Sequence, residues 1–449
     1  MWRYKKLKSK LTRSLSYFLS LIAIMIIFMI PSNSIKAETI IDIESESAIL
    51  VDAETGKVLY AKNPDMELPP ASMTKMMTEY LVWEAIESGK ISWETTTQIS
   101  DYPYSISANP AFSGIGLRQN VDYTVKSLYE AMAINSDNGT TIALAELIAG
   151  SEGEFVKLMN EKGEEMGLQD YKFVNTTGLE NSLLGENYPE GTDPNGTNLL
   201  SARASALLAY HLVNDYPEAL EISKIPRTEF DGQLIDNWNW MLPHEGNNFK
   251  QWYYEGIDGL KTGYTDVAKY CFTGTAEKNG KRLITVIMKA DSEDQRFRET
   301  AKLMDYGYSN FQTKELFPAG YQLEDESEIP VAKGKEKVVE IETKDSFEFP
   351  IKQNDEEKYS IQYHIDEDKL NDNGELVAPI KKGEVIGTAE IVFDGTDYGY
   401  ITGKNVHTVD LITVDSVEKS NWFMLMIGAI GEFFTNLFST VVDTIKGWF

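Results

Sequence analysis

Three short motifs combine hydroxyl, lysine and amide side chains, which are the groups that acyl transfer requires. They are Ser72-Met73-Thr74-Lys75, Ser136-Asp137-Asn138 and Lys261-Thr262-Gly263, in this order along the chain. Each is short enough to occur by chance, and a second S-x-x-K lies at 416–419 and a second S-x-N at 107–109. The surroundings favour the first set, since its members are predicted at a helix start, between two helices and at the beginning of a strand.

The first motif has the spacing of a nucleophile and its base. A serine hydroxyl is a weak nucleophile that needs a base beside it. Ser72 and Lys75 are three residues apart, so on a helix they share a face and the amine can reach the hydroxyl. The lysine must be neutral to accept a proton, and burial together with a second cation, Lys261, would lower its pKa.

The third motif adds groups that can hold a substrate. Lys261 and Thr262 offer a positive charge and a hydroxyl to a carboxylate. Ser72 at a helix N-terminus would place its own N–H near a developing oxyanion, and the strand after Gly263 can supply a second N–H, that of Tyr264. The motifs therefore provide a nucleophile, a base, an oxyanion site and a carboxylate site.

The composition excludes several other kinds of chemistry. The chain has 449 residues with 42% hydrophobic and 25% charged content, which is typical of a globular protein of two or three domains. A net charge of −28 argues against nucleic acid as a partner. One cysteine and four scattered histidines without an H-x-x-x-H pattern argue against a metal site, and we expect no cofactor.

Residues 38–315 alternate strands and helices in a way that is typical of a sheet packed with helices. A hairpin is predicted at 47–62, and Pro69-Pro70 precedes a helix that begins near Ser72 and ends at Gly89. Other predicted elements are helices at 124–134, 138–148 and 297–308, and strands at 270–276 and 282–288 on either side of an Asn279-Gly280 turn.

Three further segments differ in character from this region. Residues 1–37 have the basic start and apolar stretch of a cleaved signal peptide, with an uncleaved membrane anchor as the alternative. Residues 316–416 alternate short strands, predicted at 338–342, 359–364, 385–393 and 408–414, with acidic turns, which indicates a small all-β domain. Residues 417–449 place apolar and polar residues on opposite faces of one helix. We expect this helix to lie in a membrane surface, with an ordinary core-facing helix as the alternative.

At the three motifs the sequence resembles the low-molecular-mass penicillin-binding proteins, specifically the serine-type D-alanyl-D-alanine carboxypeptidases of the S11 peptidase family. The resemblance covers about residues 45–449 and is supported by the strings at 70–75, 258–263 and 296–299. It implies an α/β (α+β) serine penicillin-recognising fold of the β-lactamase/transpeptidase type. A small all-β domain and a C-terminal amphipathic helix would follow it.

The resemblance also implies a role for each motif residue. Ser72 would be the acyl-enzyme nucleophile and Lys75 its general base. Ser136 would link Lys75 and Lys261 in a proton relay, and Asn138 would contact the peptide carbonyl of the substrate.

Outside the motifs, Arg296 would help to hold the terminal carboxylate. The implied substrates are peptidoglycan stem peptides that end in D-Ala-D-Ala, and β-lactam antibiotics would acylate the same serine. The implied location is the outer face of a bacterial cytoplasmic membrane, reached by export and held by the C-terminal helix. One departure from the family pattern is Lys269, where we expect glycine in many relatives.

Two other functions share the same acylation site. A class A-like β-lactamase would need a glutamate in an E-x-x-L-N segment between Ser136 and Lys261, and the sequence has none. A β-lactam sensor or cell-wall scaffold would be acylated without turning over peptide, and it would usually need a transmembrane relay. The carboxypeptidase is therefore the favoured interpretation.

Overall fold

The computed structural model describes residues 41–246, 248–403 and 408–421. The predicted signal segment at 1–37 and all but the first residues of the predicted helix at 417–449 lie outside these ranges. Within them, none of the helices combines the length and the apolar character needed to cross a bilayer.

Strands from both ends of the catalytic domain meet in one antiparallel sheet. The strands up to residue 290 are β1 (Ser47–Asp52), β2 (Val58–Lys62), β3 (Thr96–Thr97), β4 (Tyr123–Thr124), β5 (Tyr171–Lys172), β6 (Leu199–Leu200), β7 (Arg227–Phe230), β8 (Gln233–Asp236), β9 (Ile257–Thr265), β10 (Lys269–Lys278) and β11 (Lys281–Ala290). The five-stranded sheet has the order β2-β1-β11-β10-β9, with Ser47 opposite Met288. The predicted turn between β10 and β11 is confirmed, because Asn279 and Gly280 both have positive φ, as a two-residue hairpin requires.

Helices pack against this sheet and bury most of the apolar side chains of the domain. They are α1 (Lys75–Glu87), α2 (Asp101–Ser107), α3 (Val125–Asn135), α4 (Asn138–Ala149), α5 (Glu152–Glu165), α6 (Ala202–Asp215), α7 (Ala219–Ser223) and α8 (Glu293–Asn310). Side-chain caps begin several of them; the side chains of Thr124, Asp137, Ser151, Ser201 and Ser292 each accept a hydrogen bond from a backbone N–H of the first turn. The predicted helix start at Ser72 is corrected to a 3₁₀ turn at Ala71–Thr74, which leads directly into α1.

A second, smaller core lies in the C-terminal β domain. Its strands are β12 (Phe311–Phe317), β13 (Glu328–Ala332), β14 (Val338–Thr343), β15 (Phe347–Lys352), β16 (Tyr359–Ile365), β17 (Leu376–Val377), β18 (Val385–Phe393) and β19 (Thr408–Thr413). β12 pairs with β15, and the others form a six-stranded sheet in the order β16-β18-β19-β14-β13-β17.

The chain positions where this β domain begins and ends differ from the predicted limits of 316 and 416. Strand β12 starts at Phe311, immediately after α8, and pairs along its length with a strand of the β domain. At the other end, Val417 forms a bridge with Ile380, and the N–H of Ser420 donates to the carbonyl of Lys333. The β domain therefore extends from about 311 to 420.

A loop of the β domain reaches the β1–β2 turn of the catalytic domain. Lys57 Nζ lies 2.6 Å from Asp397 Oδ1 in an ion pair that leaves the lysine side chain 9% exposed. The N–H of Ile401 donates to the carbonyl of Gly56, and the Ile401 side chain joins the core of the catalytic domain. The two domains are thus joined at this loop as well as where α8 continues directly into β12.

Candidate active site

Ser72 lies on the 3₁₀ turn before α1, where two glycines allow close approach of other segments. A Cβ atom on Gly263 would lie 2.4 Å from the carbonyl oxygen of Pro70 and 3.3 Å from the backbone N of Ser72. A Cβ atom on Gly178 would lie 1.9 Å from the carbonyl oxygen of Ala71. Only glycine fits at these contacts, which hold the K-T-G strand β9 and the 175–178 loop against the serine.

Lys75 is fully buried at the first position of α1 and makes three short contacts through its amine. Nζ lies 2.9 Å from Ser72 Oγ, 2.8 Å from Asn138 Oδ1 and 2.8 Å from the carbonyl oxygen of Thr177. A neutral amine has two N–H groups and one lone pair. The amide and carbonyl oxygens can only accept, so they take both N–H groups and leave the lone pair facing the serine hydroxyl.

The electrostatic environment favours the neutral form of Lys75. Burial is the main cause that lowers the pKa of its amine well below 10.5, and the positive charge of Lys261 lowers it further. The carboxyl groups of Asp137, Glu79 and Glu152 act in the opposite direction. Lys75 therefore has both the geometry and the pKa shift of a general base.

The S-x-N turn between α3 and α4 fixes the orientation of Asn138. Ser136 caps α3 in the left-handed conformation (φ 64°), and Asp137 caps α4. Asn138 Nδ2 donates to the carbonyl of Ser113 at 3.1 Å, which turns Oδ1 toward Lys75. Asn138 thus orients the lysine directly.

Ser136 is buried at the wall of the cleft, where it lines the same cavity as Ser72. In the part of the chain that the structure describes, its hydroxyl forms no hydrogen bond with Lys75 or with Lys261. The proton relay implied for Ser136 therefore stays a prediction.

The K-T-G motif lies on β9, the edge strand of the sheet, which packs against the 3₁₀ turn. Lys261 and Thr262 are buried, at 2% and 6% exposure, and Thr262 lines the cleft. Burial lowers the pKa of Lys261, the carboxyl of Glu79 raises it, and the charge of Arg296 lowers it. The motif therefore places a buried cation beside an open hydroxyl at the edge of the sheet.

Arg296 reaches the same cleft from α8. Its guanidinium lies 2.9 Å from Glu293 Oε1 and donates to the carbonyl of Gly263 at 3.3 Å. Burial lowers the pKa of this guanidinium to about 10, although it keeps its charge at neutral pH. Among the described atoms its buried Nε has no hydrogen-bond partner, which leaves donor capacity beside the strand.

These groups surround an open cavity of 360 Å³. The predicted site residues that line it are Ser72, Ser136, Asn138, Thr262, Gly263, Tyr264 and Arg296. Lys75 and Lys261 do not line it, because both are fully or almost fully buried, but each adjoins a lining residue, Ser72 and Thr262 respectively. The structure thus brings together every residue that the sequence predicted for the site.

Tyr264 and Lys269 lie on either side of the β9–β10 turn, and Tyr264 lines the cleft. The Tyr264 side chain is 49% exposed, and its ring centroid lies 4.6 Å from that of Tyr270. Lys269 has φ 58° and an exposed side chain, and it pairs with Thr265. The left-handed backbone explains why glycine suits this position.

Other residues of the cavity escaped the sequence analysis. They are Ala111, Phe112, Ser113, Leu179, Trp238, Tyr270 and Glu293. Most of them come from loops whose approach to the cleft depends on tertiary packing. No group of three or more His, Cys, Asp or Glu side chains within the described ranges is placed to hold a metal ion.

Comparison with known proteins agrees with this geometry. A model of the peptidase S11 family, described as D-alanyl-D-alanine carboxypeptidase, matches residues 33–292. A model of the C-terminal domain of penicillin-binding protein 5 matches residues 311–419. The D-alanyl-D-alanine carboxypeptidase DacF of Bacillus subtilis (strain 168) is 33% identical over 379 residues, which is 84% of this chain and 89% of that protein.

Solved structures with related sequences share the fold. A peptidoglycan synthesis regulatory factor (PBP3) from Streptococcus pneumoniae is 37% identical with a TM-score of 0.64, over 84% of this chain and 100% of that one. Penicillin-binding protein D2 from Listeria monocytogenes, solved in an ampicillin-bound form, is 29% identical with a TM-score of 0.51. The match covers 60% of this chain and 100% of that one. These matches do not favour the β-lactamase or the sensor alternative. The chain belongs to the S11 family of serine peptidases and is a penicillin-binding protein of the D-alanyl-D-alanine carboxypeptidase type.

Proposed function

We propose that the protein removes the terminal D-alanine from peptidoglycan stem pentapeptides through an acyl-enzyme on Ser72. The observation that carries this proposal is the position of the Lys75 amine, 2.9 Å from the Ser72 hydroxyl and held by Asn138 and Thr177. With its lone pair facing the hydroxyl, the neutral lysine can accept the serine proton as the new bond forms.

Acylation begins when Ser72 Oγ attacks the carbonyl carbon between the two D-alanine residues. Lys75 takes the hydroxyl proton, and the carbonyl oxygen becomes an oxyanion near the N–H of Ser72 and that of Tyr264. When the tetrahedral species collapses, the C–N bond breaks and the amine of the departing D-alanine gains a proton. The relay predicted for Ser136 would carry this proton from Lys75 to the departing amine.

Deacylation reverses the roles with water as the nucleophile. Water attacks the ester carbonyl, loses a proton to Lys75, and the Ser72–acyl bond breaks as Oγ regains a proton. The product is a stem tetrapeptide with a new carboxylate. A β-lactam follows the first step, but its leaving group stays tethered to the acyl chain, so we expect the adduct to be released slowly.

The terminal carboxylate of the substrate is bound by the K-T-G strand and Arg296. Thr262 offers a hydroxyl in the cleft, and Lys261 and Arg296 supply positive charge from below and from α8. Arg296 lines the cleft and its guanidinium keeps its charge at neutral pH, which supports the binding of an anion there. This arrangement would select peptides that end in a free carboxylate.

The proposal includes export and attachment to the outer face of the cytoplasmic membrane. It rests on the sequence pattern alone, namely the signal-like segment at 1–37 and the amphipathic pattern of 417–449. Residues 417–420 pair within the β domain, so the anchoring helix would begin after about residue 421. The apolar stripe of this helix would lie in the membrane, and its polar stripe would face water.

The proposed activity is tested by release of free D-alanine. The full chain is incubated with a peptide that ends in D-Ala-D-Ala, and D-alanine is measured over time. We expect turnover by the wild type and none by Ser72→Ala. A wild-type protein that binds penicillin covalently but releases no D-alanine would contradict a carboxypeptidase and support a sensor.

A further inference from the structure

Glu152 is a buried carboxyl that the steps above do not use, and it binds the loop that reaches Lys75. It is the first residue of α5 and is only 4% exposed. Its Oε1 accepts two hydrogen bonds from Thr176, one from the backbone N–H at 2.9 Å and one from Oγ1 at 2.6 Å. Its Oε2 accepts a third from Tyr102 Oη at 2.8 Å. The carboxyl thus joins α5 and α2 to the 174–178 loop.

The 174–178 loop depends on side chains for the hydrogen bonds of its backbone N–H groups. The N–H groups of residues 174 and 175 donate to Asn198 Oδ1, at 2.6 and 3.1 Å. Those of residues 177 and 178 donate to Asn175 Oδ1, at 3.1 and 2.8 Å. The N–H of Thr176, between these two pairs, is bound by Glu152. Three buried side chains therefore determine the path of this loop.

The same loop orients the general base. The carbonyl oxygen of Thr177, the residue after Thr176, lies 2.8 Å from Lys75 Nζ. Together with Asn138 Oδ1 it takes the two N–H groups of the neutral amine, which turns the lone pair toward Ser72. A shift of this carbonyl would let the amine rotate and turn its lone pair away from the hydroxyl.

We propose that Glu152 is a positioning residue for acyl transfer, which holds the Thr177 carbonyl against Lys75 through the 174–178 loop. The proposal rests on the proposed function, in which Lys75 is the general base. A buried N–H without an acceptor is costly, so a loop that lost Glu152 would shift to pair it, and the adjoining carbonyl would move as well. Glu152 acts through the loop and touches neither the substrate nor the reacting atoms.

This role needs a hydrogen-bond acceptor and does not need a charge. Burial raises the pKa of the Glu152 carboxyl, and the hydrogen bonds from Thr176 and Tyr102 lower it. The N–H of Thr176 can only donate, so Oε1 accepts from it in either protonation state of the carboxyl. A glutamine would offer the same acceptor oxygen, and its NH₂ group could donate to the Tyr102 hydroxyl. Glu152→Gln therefore removes the charge alone, whereas Glu152→Met fills a similar volume with only a weak acceptor.

The experiment separates binding from acylation in the full chain. Acylation by a fluorescent penicillin is followed over a range of penicillin concentrations. This gives the dissociation constant of the noncovalent complex and the first-order rate constant of acylation. A misplacement of about 1 Å can cost roughly a hundredfold in rate, so we expect Glu152→Met to lower the acylation rate constant by about ten- to a hundredfold. The dissociation constant should stay close to that of the wild type, because Glu152 does not touch the ligand.

Two further variants separate this role from a merely structural one. Glu152→Gln keeps the acceptor and is expected to acylate at the wild-type rate. Tyr102→Phe removes only the hydrogen bond to Oε2 and leaves Thr176 paired with Oε1. It is expected to lower the melting temperature and to leave the acylation rate constant unchanged. A loss of rate in either variant as large as that in Glu152→Met would overturn the proposal, because it would follow the charge or the stability of the region.

The outcomes distinguish this proposal from the proposed function. If Glu152→Met does not fold, Glu152→Asp takes its place, since it withdraws the carboxyl from Thr176 by one CH₂ group and stays polar. A folded variant of either kind that acylates at the wild-type rate overturns the role of Glu152. Failure of the proposed function would instead appear without any change at Glu152, as labelling that persists in Ser72→Ala or as a wild type that releases no D-alanine.

Discussion

The catalytic cleft and the β domain place their lysines in opposite environments. Lys75 and Lys261 are buried beneath the cleft, at 0% and 2% exposure, without an ion-pair partner in the described chain. In the β domain, Lys344 forms a surface pair with Asp410 at 2.7 Å, with side chains 50% and 40% exposed. Lys335 forms a similar exposed pair with Glu418.

This difference shows that burial of lysines for catalysis lowers the free energy of unfolding, whereas the exposed pairs have little effect on it. An exposed pair contributes about 0–1 kcal/mol and leaves each charge in its ordinary state. A buried lysine must lose its proton or find compensation for its charge. Lys75 has only neutral hydrogen-bond partners, and burial is the main cause that lowers the pKa of both Lys75 and Lys261.

The largest difference between the two regions is expected in the rate of acylation when one lysine amine is removed from each, Lys75 in the cleft and Lys344 in the β domain. Lys75→Ala should lower the rate of acylation by a penicillin by roughly 10²–10⁴, the usual contribution of a positioned base. Lys344→Ala, in the β domain, should leave this rate unchanged. Equal rates for Lys75→Ala and the wild type, measured as adduct formed over time, would show that another group accepts the proton.

A smaller effect is expected at Arg296, which we propose binds the terminal carboxylate. Arg296→Ala should reduce binding of the transition state by about 1.5–3 kcal/mol for free-acid peptides, which is the scale of a hydrogen bond to a charged group. It should have little effect on C-terminal amides. The measurement is kcat/KM for both substrates.

Arg298→Ala is the matched control for this test, since Arg298 lies on the same helix but pairs with Asp294 at the surface. It should leave kcat/KM unchanged for both substrates. An equal loss for acid and amide in Arg296→Ala would mean that the guanidinium only supports β9.

The buried lysine should also leave a signature in the pH dependence of stability. The pKa of Lys75 is lowered in the folded state, so between that pKa and 10.5 the unfolded chain binds a proton that the folded chain does not. Stability must then rise with pH in this window. We expect the wild type to gain stability relative to Lys75→Met as the pH increases from 7 toward 10.

Urea denaturation at several pH values measures this difference. Lys344→Met serves as the control and should differ from the wild type by no more than about 0.5 kcal/mol at any of these pH values. Parallel curves for Lys75→Met and the wild type would mean that Lys75 keeps an ordinary pKa.

The smallest effect on catalysis is expected from deletion of residues 422–449. All the proposed site residues lie upstream, so turnover of a soluble peptide should be almost unchanged, while association with membranes is lost. The point test is Phe434→Asp with Phe438→Asp, which places charge on the apolar stripe. Sedimentation with membranes at the wild-type level would show that another segment is the anchor.

The sequence predicted most of the site because its chemistry lies in three local motifs. Ser72 and Lys75 are joined by one helical turn, and the Asn279-Gly280 turn determines how β10 and β11 pair. The third contact of Lys75, the carbonyl of Thr177, could not be predicted, because it depends on the path of a loop about a hundred residues away.

In the β domain too, the sequence predicted strands with a local pattern and missed one that depends on tertiary contacts. Its alternating segments predicted β14, β16, β18 and β19 closely, since apolar residues there face one buried side. β12 was missed, because four of its seven residues, Gln312 to Glu315, are polar and exposed and its pairing with β15 is decided by tertiary contacts.

The most direct test of the central claim is to locate the penicillin adduct. The full chain is labelled with a penicillin, digested, and analysed by mass spectrometry, alongside Ser72→Ala. We expect one penicilloyl group per chain, on the peptide that contains Ser72, and none on the variant. An adduct on any other residue, or an adduct that persists in Ser72→Ala, would contradict it.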